Sequence, residues 1–163
     1  MDDFRFKQIG VIRTPFDKLS DTPIQPVYSK GTRGRVEVLP EFAPGLDDIE
    51  GFSYIHLVFV FHRSTKTRLR VKPYLQDTER GVFATRAPVR PNPIGMSLVR
   101  LVRREGRVLH VEDVDMLDGS PLLDIKPYAP RFDVRSDVRA GWHEDVSEET
   151  ADRLGKRSGD RDR

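Results

Sequence analysis

The chain has 163 residues, of which 37% are hydrophobic and 33% charged, and its formal net charge is +2. This length suits one domain with its own hydrophobic core. The chain has no cysteine, which excludes disulfides and thiolate metal sites. The longest apolar run, residues 54–61, is far shorter than the roughly 20 residues that span a bilayer. The acidic first residues also lack the apolar region of a signal peptide. We therefore expect a cytoplasmic protein that does not enter the membrane.

Most periodic segments are typical of short β-strands. They alternate apolar with polar residues, or they are rich in β-forming residues, and short polar, glycine or proline connections separate them. The predicted strands are 4–12, 34–39, 54–61, 81–86, 96–102 and 107–117. Six or more short strands with little helix predict an all-β or β-rich fold, a small and mostly antiparallel β-barrel with short helices and long functional loops.

The remaining segments are short helices, long connections and a tail. The pattern at residues 44–52 predicts one or two helical turns. A short helix is also predicted over residues 145–156, which begin with an acidic residue that can cap it. Connections 13–35 and 62–80 are longer than a barrel needs, which is typical of functional or disordered loops. We expect a barrel domain over 1–140 and a partly disordered tail over 141–163.

Charge is unevenly distributed along the chain. Residues 62–104 contain eleven Lys and Arg against two acids, a net +9 that leaves −7 for the rest. This segregation favours an anionic partner. The alternative is a solvated cationic face that acidic segments balance in the fold.

Several familiar motifs are absent. The chain has neither G-x-G-x-x-G nor a P-loop, which argues against a doubly wound nucleotide-binding fold, and "GMSLV" does not match the nucleophile elbow G-x-S-x-G. The four histidines show no metal-ligand spacing, so no metal is expected. His56 lies inside an apolar run and is interpreted as a satisfied core histidine. His62 follows that run, and both a ligand contact and a plain surface role are open.

The proline-rich corner "RAPVRPNPIG" precedes the strand at 96–102. Pro91 and Pro93 fix their own φ and bias the residues before them toward extended backbone. Such a loop loses little entropy when a ligand binds. Arg86 and Arg90 offer forked donors that suit carboxylate or phosphate, and Asn92 offers a donor and an acceptor. The alternative is a stiff turn with solvated arginines.

A second dense stretch is "DVDMLDGSPLLDIKPYAP", residues 113–130. "LDGSP" predicts a turn in which Asp118 accepts hydrogen bonds and Gly119 takes an unusual φ. Asp124 and Lys126 alternate with Leu123 and Ile125. The polar pair is therefore expected to face one side of a strand and the apolar pair the other. Asp124 and Lys126 are either site residues or a surface ion pair. Tyr128 is either an aromatic platform or a packing residue.

These segments carry a family resemblance. "GVFATRAPVRPNPIGMSLVRL", "DMLDGSPLLDIKPY", "FKQIGVIRTPF" and "FVFHR" together resemble the TsaA-like (TrmO, YaeB-like) family over roughly residues 4–133. Members are S-adenosylmethionine-dependent tRNA methyltransferases. The resemblance implies a barrel that forms a homodimer and holds the cofactor near the subunit interface. It also implies methylation of N6 of a threonylcarbamoyl-modified adenosine beside the anticodon, with the tRNA anticodon stem-loop as partner.

The resemblance assigns site residues by position. It implies that S-adenosylmethionine contacts Gln25, Pro26, Val27, His62, Arg63, Arg86, Leu117, Asp118 and Gly119. For catalysis we expect Asp124 as the carboxylate near the acceptor nitrogen and Asn92 as an orienting group. We expect Arg90 or Lys126 to bind the substrate's threonyl carboxylate. We expect Tyr74 or Tyr128 to stack on the base. We expect phosphates to engage Arg68, Arg70 and Lys72.

Two other functions stay open at this stage. Longer bacterial members of the family continue into a further C-terminal domain, and this chain stops soon after the predicted barrel. One alternative is therefore a module that binds S-adenosylmethionine or RNA without catalysis. The other is a methyltransferase that acts on a different acceptor.

Overall fold

The computed structural model describes residues 4–155, and their centre is a closed barrel of six antiparallel strands. The order around the barrel is β1-β2-β7-β6-β3-β8, and β8 pairs with β1 to close it. A separate two-stranded sheet pairs β4 with β5. The strands are β1 Gly10–Arg13, β2 Arg33–Val38, β3 Tyr54–Val60, β4 Arg70–Val71, β5 Arg80–Gly81, β6 Ile94–Glu105, β7 Val108–Glu112 and β8 Ser120–Pro127. The predicted β-rich barrel is confirmed.

Alternation along the strands places the core inside the barrel. Every second residue of β3 is buried, and β6 and β7 follow the same pattern over most of their length. Because successive side chains of a strand point to opposite faces, one face of each strand fills the interior. The fully buried members include Ile12, Val36, Ile55, Leu57, Val99, Leu109 and Leu122.

Helices are short and lie between or after the strands. In the described part of the chain, six 3-10 segments span Leu19–Asp21, Pro26–Tyr28, Pro40–Leu46, Ile49–Gly51, Val82–Ala84 and Gly141–Asp145. The α-helices are α1, Pro130–Asp133, and α2, Glu148–Gly155. The helical turns predicted over 44–52 and 145–156 are therefore present, although Lys156 lies outside the described residues. No helix among residues 4–155 is long and apolar enough to cross a membrane.

Three predicted strands extend well beyond the observed ones, and the strand predicted over 96–102 is longer than predicted, Ile94–Glu105. The strand predicted over 4–12 begins only at Gly10. The strand predicted over 81–86 ends at Gly81, and the chain then forms a 3-10 turn. The strand predicted over 107–117 ends at Glu112, because Asp113 adopts a φ of 68° that extended backbone does not allow.

Two side-chain orientations also differ from the prediction. A register shift pairs Phe59 with Leu122 and Val58 with Asp124, so Leu122 rather than Leu123 fills the interior beside Ile125. His56 is not a satisfied core histidine. It lies between two buried residues of β3 and so faces outward, and its Nδ1 has no hydrogen-bond partner among the described residues.

The segment predicted to be a partly disordered tail, 141–163, extends past the described residues. Its part up to Gly155 holds a 3-10 helix and α2. Its last eight residues, 156–163, lie outside the described part. The boundary at residue 140 stays a prediction.

Candidate active site

A cavity of about 380 Å³ opens at the end of the barrel where β3 finishes and β6 and β8 begin. The barrel contributes Phe59, Ser120 and the first four residues of β6, Ile94 to Ser97, to its wall. Connections contribute the rest, namely residues of the first long connection, of the segment after β3, of the proline-rich corner with Thr85 before it, and of the segment before β8. This volume is in the range of small-molecule sites.

Backbone hydrogen bonds hold the proline-rich corner in place. Three of its carbonyl oxygens accept bonds from the segment that follows β3, at 2.7 to 3.0 Å. The pairs are Phe61 N to Pro93 O, Arg68 N to Val89 O and Ser64 Oγ to Pro88 O. Arg90 braces the corner from inside, since its Nη1 donates to the carbonyl oxygens of Thr85 and Ala87. Fixed prolines and satisfied carbonyls together make this wall rigid before any ligand arrives.

Three arginines give the cavity a cationic wall. Arg63, Arg86 and Arg90 all line it. Arg86 Nη1 donates to Gln25 Oε1 at 2.6 Å, and this bond joins the proline-rich corner to the first long connection. Guanidinium groups are suited to binding carboxylate or phosphate. The cavity is therefore equipped for an anionic group of a ligand.

A buried carboxylate lies on another part of the wall. Asp115 is 9% exposed and Ser97 3% exposed. Ser97 Oγ donates a hydrogen bond to Asp115 Oδ1 at 2.6 Å. Among the described residues that line the cavity, Asp115 is the only acidic side chain. A hydrogen-bonded, buried carboxylate in a cavity wall is a candidate for a functional role.

His62 adds a titratable ring to the cavity. Burial lowers the pKa of His62, and the positive charge of Arg63 lowers it further. A hydrogen bond with the backbone of Val60 and the charge of Asp118 act in the opposite direction but do not cancel the shift. The imidazole is therefore neutral at neutral pH.

The predicted "LDG" turn shapes the cavity mainly through its backbone. Asp118 Oδ1 accepts a hydrogen bond from Thr14 N at 3.0 Å, so its carboxylate holds the first connection rather than lining the cavity. Gly119 has a φ of 76°, as its predicted role requires. These restraints position Leu117, which does line the cavity.

Comparison with known proteins identifies the family. A sequence profile of the tRNA-methyltransferase O N-terminal domain matches residues 11–134, about three quarters of the chain. The chain belongs to this family.

Relatives of the tRNA-methyltransferase O family share both sequence and fold with this chain. A probable S-adenosyl-L-methionine-binding protein of Pyrococcus abyssi is 57% identical over 85% of this chain and 76% of its own length. The tRNA (adenine(37)-N6)-methyltransferase of Escherichia coli is 38% identical over 87% of this chain and 65% of its own length. The crystal structure of TrmO from Pseudomonas aeruginosa is 39% identical, with a TM-score of 0.72 over 86% of this chain and 62% of that one. The chain thus spans slightly less than two thirds of these two bacterial relatives.

Most cofactor residues that the family resemblance implies meet at this cavity. Five of them line it, namely Gln25, His62, Arg63, Arg86 and Leu117. Pro26, Asp118 and Gly119 are next to lining residues in the chain, and Val27 is two positions from Gln25. Two further predicted residues, Asn92 and Arg90, also line the cavity. Their roles stay predictions, but three of the four segments that carry the family motifs, 59–63, 81–101 and 115–128, converge on one cavity.

The other predicted residues lie elsewhere in the chain. Asp124, Lys126 and Tyr128 do not line the cavity. The first two face outward on β8, where Lys126 Nζ lies 2.9 Å from Asp124 Oδ2, so the alternative of a surface ion pair describes their geometry. Tyr128 packs against Tyr54 and His56. Arg68, Arg70 and Lys72 are exposed in and around β4, and Arg70 is paired with Glu79.

Sequence reasoning missed Ser97 and Asp115. Both fall in segments predicted as strands, where alternation alone does not distinguish a cavity wall from any other position. A usable signal was the acid in "VDM", since a carboxylate between two apolar residues next to the turn motif is unusual for a solvated strand. The described residues contain no group of three or more His, Asp or Glu side chains arranged to hold a metal ion.

Proposed function

We propose that this protein is an S-adenosylmethionine-dependent methyltransferase that adds a methyl group to N6 of an adenosine in tRNA. The observation that carries the proposal is one cavity that joins three arginines and a buried carboxylate on the segments bearing the family motifs. Relatives named as S-adenosyl-L-methionine-binding proteins and as tRNA (adenine(37)-N6)-methyltransferases support it.

The residues present fit the proposed cofactor. Its carboxylate suits the guanidinium groups of Arg63 and Arg86, and its adenosine suits the apolar side chains of Phe59, Phe61 and Met96. When bound, S-adenosylmethionine would supply a methyl group on a positively charged sulfur, which keeps the electron pair of the broken bond.

Asp115 is the residue that we assign to the acceptor's proton. The acceptor nitrogen must lose its hydrogen as the new N–CH₃ bond forms, and a positioned carboxylate takes that proton. Ser97 orients the carboxylate through its hydrogen bond to Oδ1. His62, neutral in this position, adds no further positive charge to a wall that already has three arginines.

The proposal includes the substrate's modification and the RNA around it. A threonylcarbamoyl group carries a carboxylate, for which we propose Arg90, the one of its two predicted partners that lines the cavity, with Asn92 beside it as the orienting group. Phosphates of the anticodon stem-loop suit the exposed cations Lys66, Arg68 and Lys72, which have no ion pair within residues 4–155. We also propose a homodimer, which light scattering tests directly.

Transfer of a labelled methyl group tests the proposed function. The protein is incubated with methyl-labelled S-adenosylmethionine and total tRNA from cells with and without the threonylcarbamoyl modification. Label is expected only in modified tRNA. Equal labelling of both pools would point to another acceptor. Calorimetric binding of the cofactor with no transfer to either pool would support a binding module.

A further inference from the structure

Residues 141–155, here called the C-terminal strap, lie outside the segment that matches the family profile. The strap nevertheless hydrogen-bonds to Ile24, which lines the cavity, and to Ala84, which directly precedes the lining residues Thr85 and Arg86. It consists of the 3-10 helix Gly141–Asp145, α2 and the two residues between them.

The first anchor is Trp142. Its Nε1 donates a hydrogen bond to the carbonyl oxygen of Ala84 at 2.8 Å. Gln76 Nε2 donates to the carbonyl oxygen of Trp142 at 3.3 Å, so this turn is held from both sides. Ala84 immediately precedes Thr85 and Arg86, which line the cavity.

The second anchor is the last residue of α2. Gly155 accepts a hydrogen bond at its carbonyl oxygen from Ile24 N at 3.0 Å, and Ile24 lines the cavity. The Tyr28 ring packs so closely on Gly155 that a Cβ there would lie 2.5 Å from ring atoms. Burial raises the pKa of the Tyr28 phenol, and the nearby Asp152 adds to that shift.

We infer that the C-terminal strap is a positioning element of the cofactor site, which holds the wall at Ile24 and the wall at Arg86 at a set separation. The Arg86–Gln25 hydrogen bond joins the same two walls inside the cavity, and the strap joins them from outside. A pre-positioned pair of walls binds its ligand more tightly because less ordering is required on binding. Only the identity of the ligand rests on the proposed function.

Two variants test the strap in the full-length chain. Trp142→Phe keeps an aromatic ring but removes the N–H donor, and Gly155→Ala places a methyl group against the Tyr28 ring. Glu149→Gln, an exposed change on the same helix, is the matched control. In the ligand-free protein, amide hydrogen exchange is expected to become faster in residues 22–29 and 82–86 of both test variants, while β3 and β6 keep their protection.

Calorimetry with S-adenosylhomocysteine is the second measurement. Trp142→Phe removes one hydrogen bond, and in Gly155→Ala the clash with the Tyr28 ring is expected to displace the Gly155 carbonyl from Ile24 N. One lost hydrogen bond of ordinary strength predicts that Kd rises about 3- to 10-fold in each test variant and stays unchanged in the control. Trp142 is the only tryptophan of the chain, so its fluorescence emission gives a second measurement of S-adenosylhomocysteine binding in Gly155→Ala.

The two measurements separate this inference from the proposed function. Unchanged exchange in both loops, or a Kd within twofold of the original in both variants, would overturn the positioning role. Failure of the original protein to bind either S-adenosylhomocysteine or S-adenosylmethionine would instead overturn the proposed function. Faster exchange in the two loops would then still support the strap as the element that positions them.

Discussion

The cavity and the outer face of β8 contain the same kinds of side chain in different surroundings. On the outer face, Asp124 pairs with Lys126 in contact with solvent. In the cavity, Asp115 is buried and accepts a hydrogen bond from Ser97. A solvated ion pair has a small energetic effect, whereas an enclosed carboxylate interacts strongly with whatever enters beside it. Enclosure, rather than residue type, thus distinguishes the two carboxylates.

Exchanging each carboxylate for its amide tests this difference with the largest expected effect. We expect Asp115→Asn to lower kcat about 100-fold or more, since general-base catalysis typically contributes 10²- to 10⁴-fold. Asp124→Asn is expected to stay within about twofold of the original. Methyl transfer to modified tRNA measures both.

Binding controls accompany that comparison. Both variants should bind S-adenosylhomocysteine as the original protein does, which separates catalysis from loss of the site. Loss of turnover in Asp124→Asn with full activity in Asp115→Asn would reverse the assignment.

A second difference concerns the arginines. Arg86→Gln removes the charge that faces the cavity and the donor to Gln25. Hydrogen bonds to charged groups contribute about 1.5–3 kcal/mol, so Kd for S-adenosylhomocysteine should rise about 10- to 100-fold. Arg70→Gln is the control and should leave Kd unchanged, because neither Arg70 nor its partner Glu79 lines the cavity. Equal effects of the two changes would contradict a specific role for Arg86.

The pH dependence of stability tests the surroundings of His62. Its pKa is lower in the folded protein than the ordinary value of about 6.5, so the unfolded chain takes up the proton first as pH falls. Stability should therefore fall as pH decreases below about 6.5, and the fall should stop below the folded-state pKa.

Urea unfolding at pH 7.5 and pH 5.5 measures this effect. The original protein should lose more unfolding free energy between the two pH values than His62→Gln does. Because the other three histidines are common to both proteins, an equal loss would mean that burial does not lower the pKa of His62.

The smallest effect is expected on the outer face. Lys126→Met removes the ion pair with Asp124, and an exposed pair of this kind stabilises by about 0–1 kcal/mol. Thermal unfolding with and without added salt measures the change. A loss well above that range would show that the pair does more than a solvated contact does.

Local patterns predicted much of this molecule. The alternation in 54–61 and 96–102 predicted β3 and most of β6, and the proline-rich corner was expected to be rigid. The turn at Gly119 follows from glycine's freedom to adopt a positive φ. The strand limits were less predictable, because a single residue such as Asp113 ends a strand through its own backbone conformation.

The β-rich class, the family motifs and the three arginines of the cationic wall are readable from local sequence, because periodicity, proline, glycine and charge act over a few neighbouring residues. Folding brings Ser97 to Asp115 across 18 positions and Trp142 to Ala84 across 58, and no local pattern predicts these contacts. Folding likewise turns Asp124 outward from β8, with its carboxylate beside Lys126. Such contacts depend on barrel closure and strand register, which arise from the packing of the whole chain.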